Sequence, residues 1–152
     1  PGHLQELQSA VNANFDFTGK HTYWLHPHGG WTPEVALFPN RPVVKHPAET
    51  FLQCAFQNIA GKPFGITEWN FCFTNDYTVN AAPIMAAYGA LQNVGANHRF
   101  GIDQPEIGAS KRNFFGIFDS PAGIAVEPLA YFMYVRGDVK AAPVIYQDCL
   151  MP

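Results

Sequence analysis

A chain of 152 residues that is 47% hydrophobic and 14% charged holds enough apolar material for one globular core and lacks the charge excess of a disordered segment. Its formal net charge of -3, with Lys and Arg dispersed along the chain and adjacent only at Lys111-Arg112, gives no electrostatic footprint for nucleic acid or an anionic membrane, and both are set aside as partners. No apolar run approaches the roughly 18 residues of a membrane helix, and Pro1-Gly2-His3-Leu4-Gln5 has neither region of a signal peptide, so a soluble chain is expected, with export in a longer precursor left open. Cys54, Cys72 and Cys149 have no short paired spacing and read as small hydrophobes rather than a disulfide framework or a zinc site. Phe, Tyr and Trp make up 14% of the chain, and its three Trp lie near polar loop residues, a pattern shared by sugar-binding enzymes and ordinary aromatic cores.

In chain order, Leu4, Leu7, Val11 and Phe15 recur at helical spacing, so the chain is expected to enter through a helix. His21-Thr22-Tyr23-Trp24-Leu25 is aromatic and β-branched and reads as a strand. The loop over 26–45 is rich in Pro and Gly, long for a simple connection, and carries His26, His28 and Trp31. Pro47 opens a predicted helix over 47–59, with Glu49 near the positive end of its dipole and Phe51, Leu52, Ala55, Phe56 and Ile59 as its buried stripe. Gly61 is its stop.

Gly61-Lys62-Pro63 then punctuates the chain before Phe64-Gly65-Ile66-Thr67, a mostly apolar run expected to be a buried strand that delivers Glu68 at its C-terminal end. A carboxylate is costly to bury unless something uses it, and parallel α/β folds place their chemistry at that end of their strands. Glu68, flanked by Trp69 and Asn70, is therefore the first candidate site residue. A polar, aromatic loop over 71–80 leads to a predicted helix over 81–92 capped by Asn80, with Ile84, Met85, Tyr88 and Leu91 as its apolar face. Asn97-His98-Arg99-Phe100-Gly101-Ile102-Asp103 reads as a third strand, and a polar loop follows through Lys111. Ser120 and Pro121 open a last helix, interrupted at Pro128, with Leu129, Phe132, Met133 and Val135 as its stripe and Gly137 as its stop. Alternating strand and helix marks parallel βα units in a single α/β domain spanning 1–152, without repeats or low-complexity tracts.

Three of these stretches are His21-Thr22-Tyr23-Trp24-Leu25-His26-Pro27, Gly61-Lys62-Pro63-Phe64-Gly65-Ile66-Thr67-Glu68-Trp69-Asn70 and Gly116-Ile117-Phe118-Asp119-Ser120-Pro121. With the closing Tyr134-Val135-Arg136-Gly137-Asp138-Val139-Lys140, their order and spacing resemble the last three βα units of a clan A glycoside hydrolase, the retaining TIM-barrel enzymes. The resemblance implies a partial (β/α)8 barrel: strands six to eight, preceded by a helix, as the C-terminal part of a catalytic barrel that hydrolyses O-glycosidic bonds of an oligosaccharide or polysaccharide without cofactor or metal. It makes Glu68 the nucleophile and Tyr23 the hydroxyl that holds the nucleophile's rotamer. It places His21 in the same pocket, against substrate hydroxyls. Trp24, Trp31 and Trp69 would offer flat apolar faces to a sugar, and Asn70 would donate to a hydroxyl.

Retaining hydrolysis also needs a second carboxylate about 5 to 5.5 Å from the first. The clan takes it from an Asn-Glu pair at the end of strand four, and this sequence has no Asn-Glu pair. A complete barrel needs at least about 200 residues. A missing N-terminal barrel half, or a second copy of the chain, is thus expected to cover the open strands, and the chain is not expected to turn over alone. At strand eight the family commonly ends an apolar strand in an aromatic, and the polar run from Asn97 departs from that pattern.

Each residue also has a plainer reading. Glu68 could be a structural carboxylate paired with Arg99 or Lys62, Tyr23 and His21 part of an aromatic strand with a core histidine, and the three Trp core or loop anchors. His26-Pro27-His28 places two imidazoles after a strand, as in metal-dependent barrel hydrolases, with His46, His98 and Asp103 as further ligand candidates. Glu34 and Glu106 are candidates for the missing acid, but both lie in polar loops. The absent acid also leaves open a different class, a non-catalytic carbohydrate-binding or structural partial barrel.

Overall fold

The computed structural model describes residues 2–30, 37–49, 51–72, 75–101, 114–118 and 120–148. Trp31, Glu34, Asp103, Glu106, Lys111, Asp119 and Cys149 lie outside them, as do the side chains of Phe51 and Leu52. The chain is an α/β fold whose sheet has three parallel strands in the order β1-β2-β3: β1 (Thr18–Trp24), β2 (Phe64–Phe71) and β3 (Ala96–Arg99). The two main helices are α1 (Gly2–Asn12) and α3 (Ala81–Leu91); α2 (Phe51–Ala55) is a short helix between β1 and β2. The sheet is open, with β1 and β3 at its edges, and no barrel closes among the described residues.

The core is one layer between the sheet and the helices that follow its strands. Trp24, Phe64, Ile66, Trp69 and Phe71 from the strands meet Cys54, Ala81, Ala82, Met85 and Val94. Large strand side chains against small helix residues explain why α3 buries Ala81, Ala82, Ala86 and Gly89 beside Met85, while Tyr88 and Leu91, expected in the core, are exposed. Each large apolar side chain buried in this layer contributes about 1.5–3 kcal/mol. Cys54 and Cys72 are buried free thiols, and burial pushes Cys72 up to about 12, so both pack as small hydrophobes.

An irregularity in β2 decides which way its side chains point. β1 and β2 pair from Thr18 opposite Phe64 to Trp24 opposite Phe71, but Lys20 lies opposite Ile66 and His21 opposite Glu68, leaving Thr67 as an extra residue. The pairing with β3 slips over the same stretch, from Ile66 opposite Asn97 to Trp69 opposite Arg99. In a regular strand Ile66 and Trp69 would point to opposite faces. With one residue inserted, both join the helix-side core, and Glu68 turns to the other face with His21 and Tyr23.

Gly19 makes room for this bulge. A Cβ there would stand 2.9 Å from Thr67 Cγ2 and 3.2 Å from the Gly65 carbonyl oxygen. Gly19→Val is expected to cost about 1–3 kcal/mol, read as a lower denaturant midpoint. An unchanged midpoint would mean that the bulge yields freely and does not fix the direction of Glu68.

Several sequence expectations are corrected. Helix α1 forms, but Leu7 and Val11 of its apolar stripe face solvent, as do Phe15 and Phe17 beyond it. The helix expected over 47–59 is a 3-10 turn, Pro47–Glu49, followed by the short α2. Among the described side chains of this stretch Cys54 and Gln57 are buried, while Phe56 is exposed, because a helix that stops at Ala55 does not carry the stripe onward. Asn80 sits in a 3-10 turn, Thr78–Asn80, with helical backbone angles and no side-chain cap bond. β3 ends at Arg99, short of the span read from the sequence.

At the last helix, Ser120 does cap α4 (Pro121–Ala125): its Oγ accepts from the Gly123 N–H at 3.0 Å, with Pro121 in the first turn. The chain breaks at Val126, continues as α5 (Glu127–Ala130), and widens into a π turn over Tyr131–Val135 before Gly137 ends it with φ 78°. The wider turn shifts the phase of the helix face. Upstream of that turn Val126 and Ala130 pack on the core and Leu129 is exposed; within it Tyr134 donates to the Val94 carbonyl, while Phe132 and Val135 of the expected stripe are exposed.

Candidate active site

Glu68 sits inside β2 rather than at its end, because the strand continues through Trp69 and Asn70 to Phe71. Its carboxylate faces the side of the sheet away from the core layer, 36% exposed. Two neighbours on β1 meet it: the Tyr23 hydroxyl donates to Oε2 at 2.7 Å, and His21 Nδ1 lies 3.3 Å from the same oxygen. These contacts follow from the register, since His21 is directly opposite Glu68 and Tyr23 is the next residue on that face. Neither plainer partner for Glu68 is engaged with it. Arg99 pairs with Glu127, and Lys62 donates to the Phe15 carbonyl.

Aromatic rings wall the phenol. Tyr23 meets the rings of His26, Phe115 and Phe100 at centroid distances of 5.1, 5.2 and 6.5 Å. This burial, then the hydrogen bond to Glu68 and its charge, pushes the Tyr23 hydroxyl well above the usual tyrosine range. A neutral phenol kept protonated beside a carboxylate is a fixed donor. It favours the charged carboxylate and holds its orientation, as a nucleophile or an anion-binding group requires.

The folded state thus holds the Tyr23 proton more tightly than the unfolded chain does. The stability this supplies is fully present below about pH 10, the ordinary tyrosine value, and is lost as pH rises through the folded value. Tyr23→Phe is expected to cost about 1–2 kcal/mol at neutral pH, with the gap to the parent chain closing above pH 10 in chemical denaturation. A gap of constant size across that range would show that the Glu68 contact contributes nothing.

Three side chains expected to meet substrate are buried in the structure. Trp24 is 2% exposed: its Nε1 donates to the Arg41 carbonyl at 3.0 Å, and its ring packs on Phe71, His46 and the Arg41 guanidinium. Trp69 is buried on the core side of β2, with the Arg99 guanidinium 5.1 Å from its ring centre. The bulge that frees Glu68 is what turns Trp69 inward. Asn70, 2% exposed, donates to the Phe115 carbonyl at 2.6 Å while its Oδ1 accepts from the Phe71 N–H and from Arg99 Nε. It is a clamp between strand and loop, with no face left for a sugar hydroxyl. Trp31 lies outside the described residues.

Phe100 and Phe115 were missed as site residues. Phe100 follows β3 directly, so the strand does lead into an aromatic despite its polar run, and that spacing was the available signal. Phe115 carried none, because a loop phenylalanine has no periodicity to place it.

The histidines raised as alternative metal-ligand candidates do not converge among the described residues. His26 packs against Tyr23 and Phe115, His28 is held by backbone bonds to Leu37, and His46 Nδ1 lies 3.2 Å from Glu49 Oε1. Among the described residues no three His, Cys, Asp or Glu side chains stand close enough to hold a metal ion. No described helix is long and apolar enough to cross a membrane. No protein-family model, curated protein or solved structure matches the chain.

Proposed function

We propose that the chain is the C-terminal part of the catalytic barrel of a clan A retaining glycoside hydrolase, with Glu68 as the nucleophile and Tyr23 as its orienting donor. The observation that carries this reading is the 2.7 Å hydrogen bond from Tyr23 to Glu68 on the face of a parallel sheet turned away from its core layer, with the carboxylate aimed there by a bulge. A barrel turns one face of its parallel strands away from its helices, and His21, Tyr23 and Glu68 share the corresponding face of this sheet, which supports the reading. The open edge at β1 is where the preceding strands of a barrel would pair. The second carboxylate then comes from the missing half. The chemistry is attack of Glu68 on the anomeric carbon with departure of the aglycone oxygen, which takes a proton from that acid; water, deprotonated by the same group, then releases the sugar.

The test is covalent labelling of the completed barrel, this chain joined to its upstream half, with a slow 2-fluoro glycosyl fluoride. Mass spectrometry should place the added sugar on Glu68; a label elsewhere removes the assignment. One observation favours a second reading, a carbohydrate-binding partial barrel: the partners of Glu68 among the described residues are a phenol and an imidazole, with no carboxylate. Saturable glycan binding by this chain alone, kept in Glu68→Gln, would decide for that reading.

A further inference from the structure

A buried network runs from the helix side of the sheet to the Tyr23 wall. Arg99, the last residue of β3, has a side chain only 10% exposed. One arm of its guanidinium pairs with Glu127 at the start of α5, and its Nε donates to Asn70 Oδ1 at 3.2 Å. The same oxygen accepts from the Phe71 N–H at 2.8 Å. With two donors converging on Oδ1, the Asn70 amide has one orientation available, which points Nδ2 at the Phe115 carbonyl, 2.6 Å away. Phe115 in turn packs edge-on against Tyr23, and its carbonyl also accepts from the Gly101 N–H at 3.2 Å, which ties the loop to the end of β3.

We propose that Arg99 is a positioning residue of the Glu68 site: by fixing the Asn70 amide it holds the loop that carries Phe115, and that loop keeps the Tyr23 phenol on the carboxylate. This rests on Glu68 being the working carboxylate of the site. Arg99 suits the task because its planar fork serves Glu127 and Asn70 in two directions at once, where a lysine, a single point charge, serves one. The network also accounts for a polar, cationic end on a strand where an apolar one was expected.

The test reads the Tyr23 proton directly. Tyrosinate absorbance is followed after stopped-flow pH jumps, before unfolding, and the Tyr23 component is isolated by difference from the same protein carrying Tyr23→Phe. Arg99→Lys keeps the Glu127 pair and releases Asn70; Asn70→Ala removes the amide, and with it the hold on the Phe115 carbonyl, without adding a charge beside Tyr23. Both are expected to move the Tyr23 titration down by roughly one pH unit, about tenfold in proton affinity. Glu127→Gln still accepts from Arg99 and leaves Asn70 in place, so it should weaken the fold without moving Tyr23. An unmoved titration in Arg99→Lys, or an equal shift in Glu127→Gln, overturns the proposal. Should Arg99→Lys fail to fold, Asn70→Ala against Glu127→Gln decides by the same criterion. The measurement needs no turnover, so its failure and a failed label on Glu68 are separate results.

Discussion

Glu68→Gln, made in the chain joined to its upstream half, is expected to lower glycosidase turnover by at least about a thousandfold while leaving folding intact. The substitution is nearly isosteric, and the amide oxygen still accepts the Tyr23 hydrogen bond, so the wall of Phe100 and Phe115 has no reason to move. What disappears is the charged oxygen that, on the proposed mechanism, attacks. Glu68→Ala removes the side chain as well and leaves space beside Tyr23. In that variant azide or formate should restore turnover with the product's anomeric configuration inverted, because an external nucleophile then performs a single displacement. Glycosidase activity undiminished in both variants would take Glu68 out of the chemistry and leave it as a binding or structural carboxylate.

How much was legible in the sequence depended on whether a signal was local. The parallel strands and their helices follow from β-branched and aromatic runs alternating with helical spacing, and Tyr23 and Glu68 stand on one face. What the pattern could not carry was the extra residue at Thr67. A register slip has no periodicity of its own, yet it reverses the face of every residue after it, which is how Glu68 leaves the face of Phe64 and Ile66 and Trp69 joins it; Trp69 was expected in the site for its aromatic ring beside Glu68, although adjacent strand residues face opposite sides. Trp24 failed for a simpler reason: period two along β1 already placed it opposite to Tyr23, and its aromatic character outweighed that parity in the reading. Asn70 shares the face of Tyr23, but a loop distant in sequence takes up its hydrogen bonds. The π turn at Tyr131–Val135 acts on the residues after its start as the bulge acts on β2, rotating Phe132 and Val135 away from places counted at 3.6 residues per turn.

The chain alone is expected to self-associate or to unfold without a sharp transition, as measured by light scattering after size exclusion and by denaturant titration. β1 and β3 each pair on one side within the sheet, and an unpaired strand edge is a template for another strand. Leu7, Val11, Phe15 and Phe17 are all more than half exposed, so the first helix and the turn after it present apolar side chains with no covering layer from the described residues. The upstream half of a barrel would bring both a strand for β1 and a surface for these side chains. Adding it should convert the mixture to a single species that melts cooperatively. The stripe can be tested apart from the edge: Leu7→Lys with Val11→Lys removes two side chains each worth about 1.5–3 kcal/mol when buried, and should weaken association at least about a hundredfold while the strands stay folded. A parent chain that runs as a monomer and unfolds in one steep transition would mean that these edges are closed by the chain itself, and with that the need for a missing half disappears.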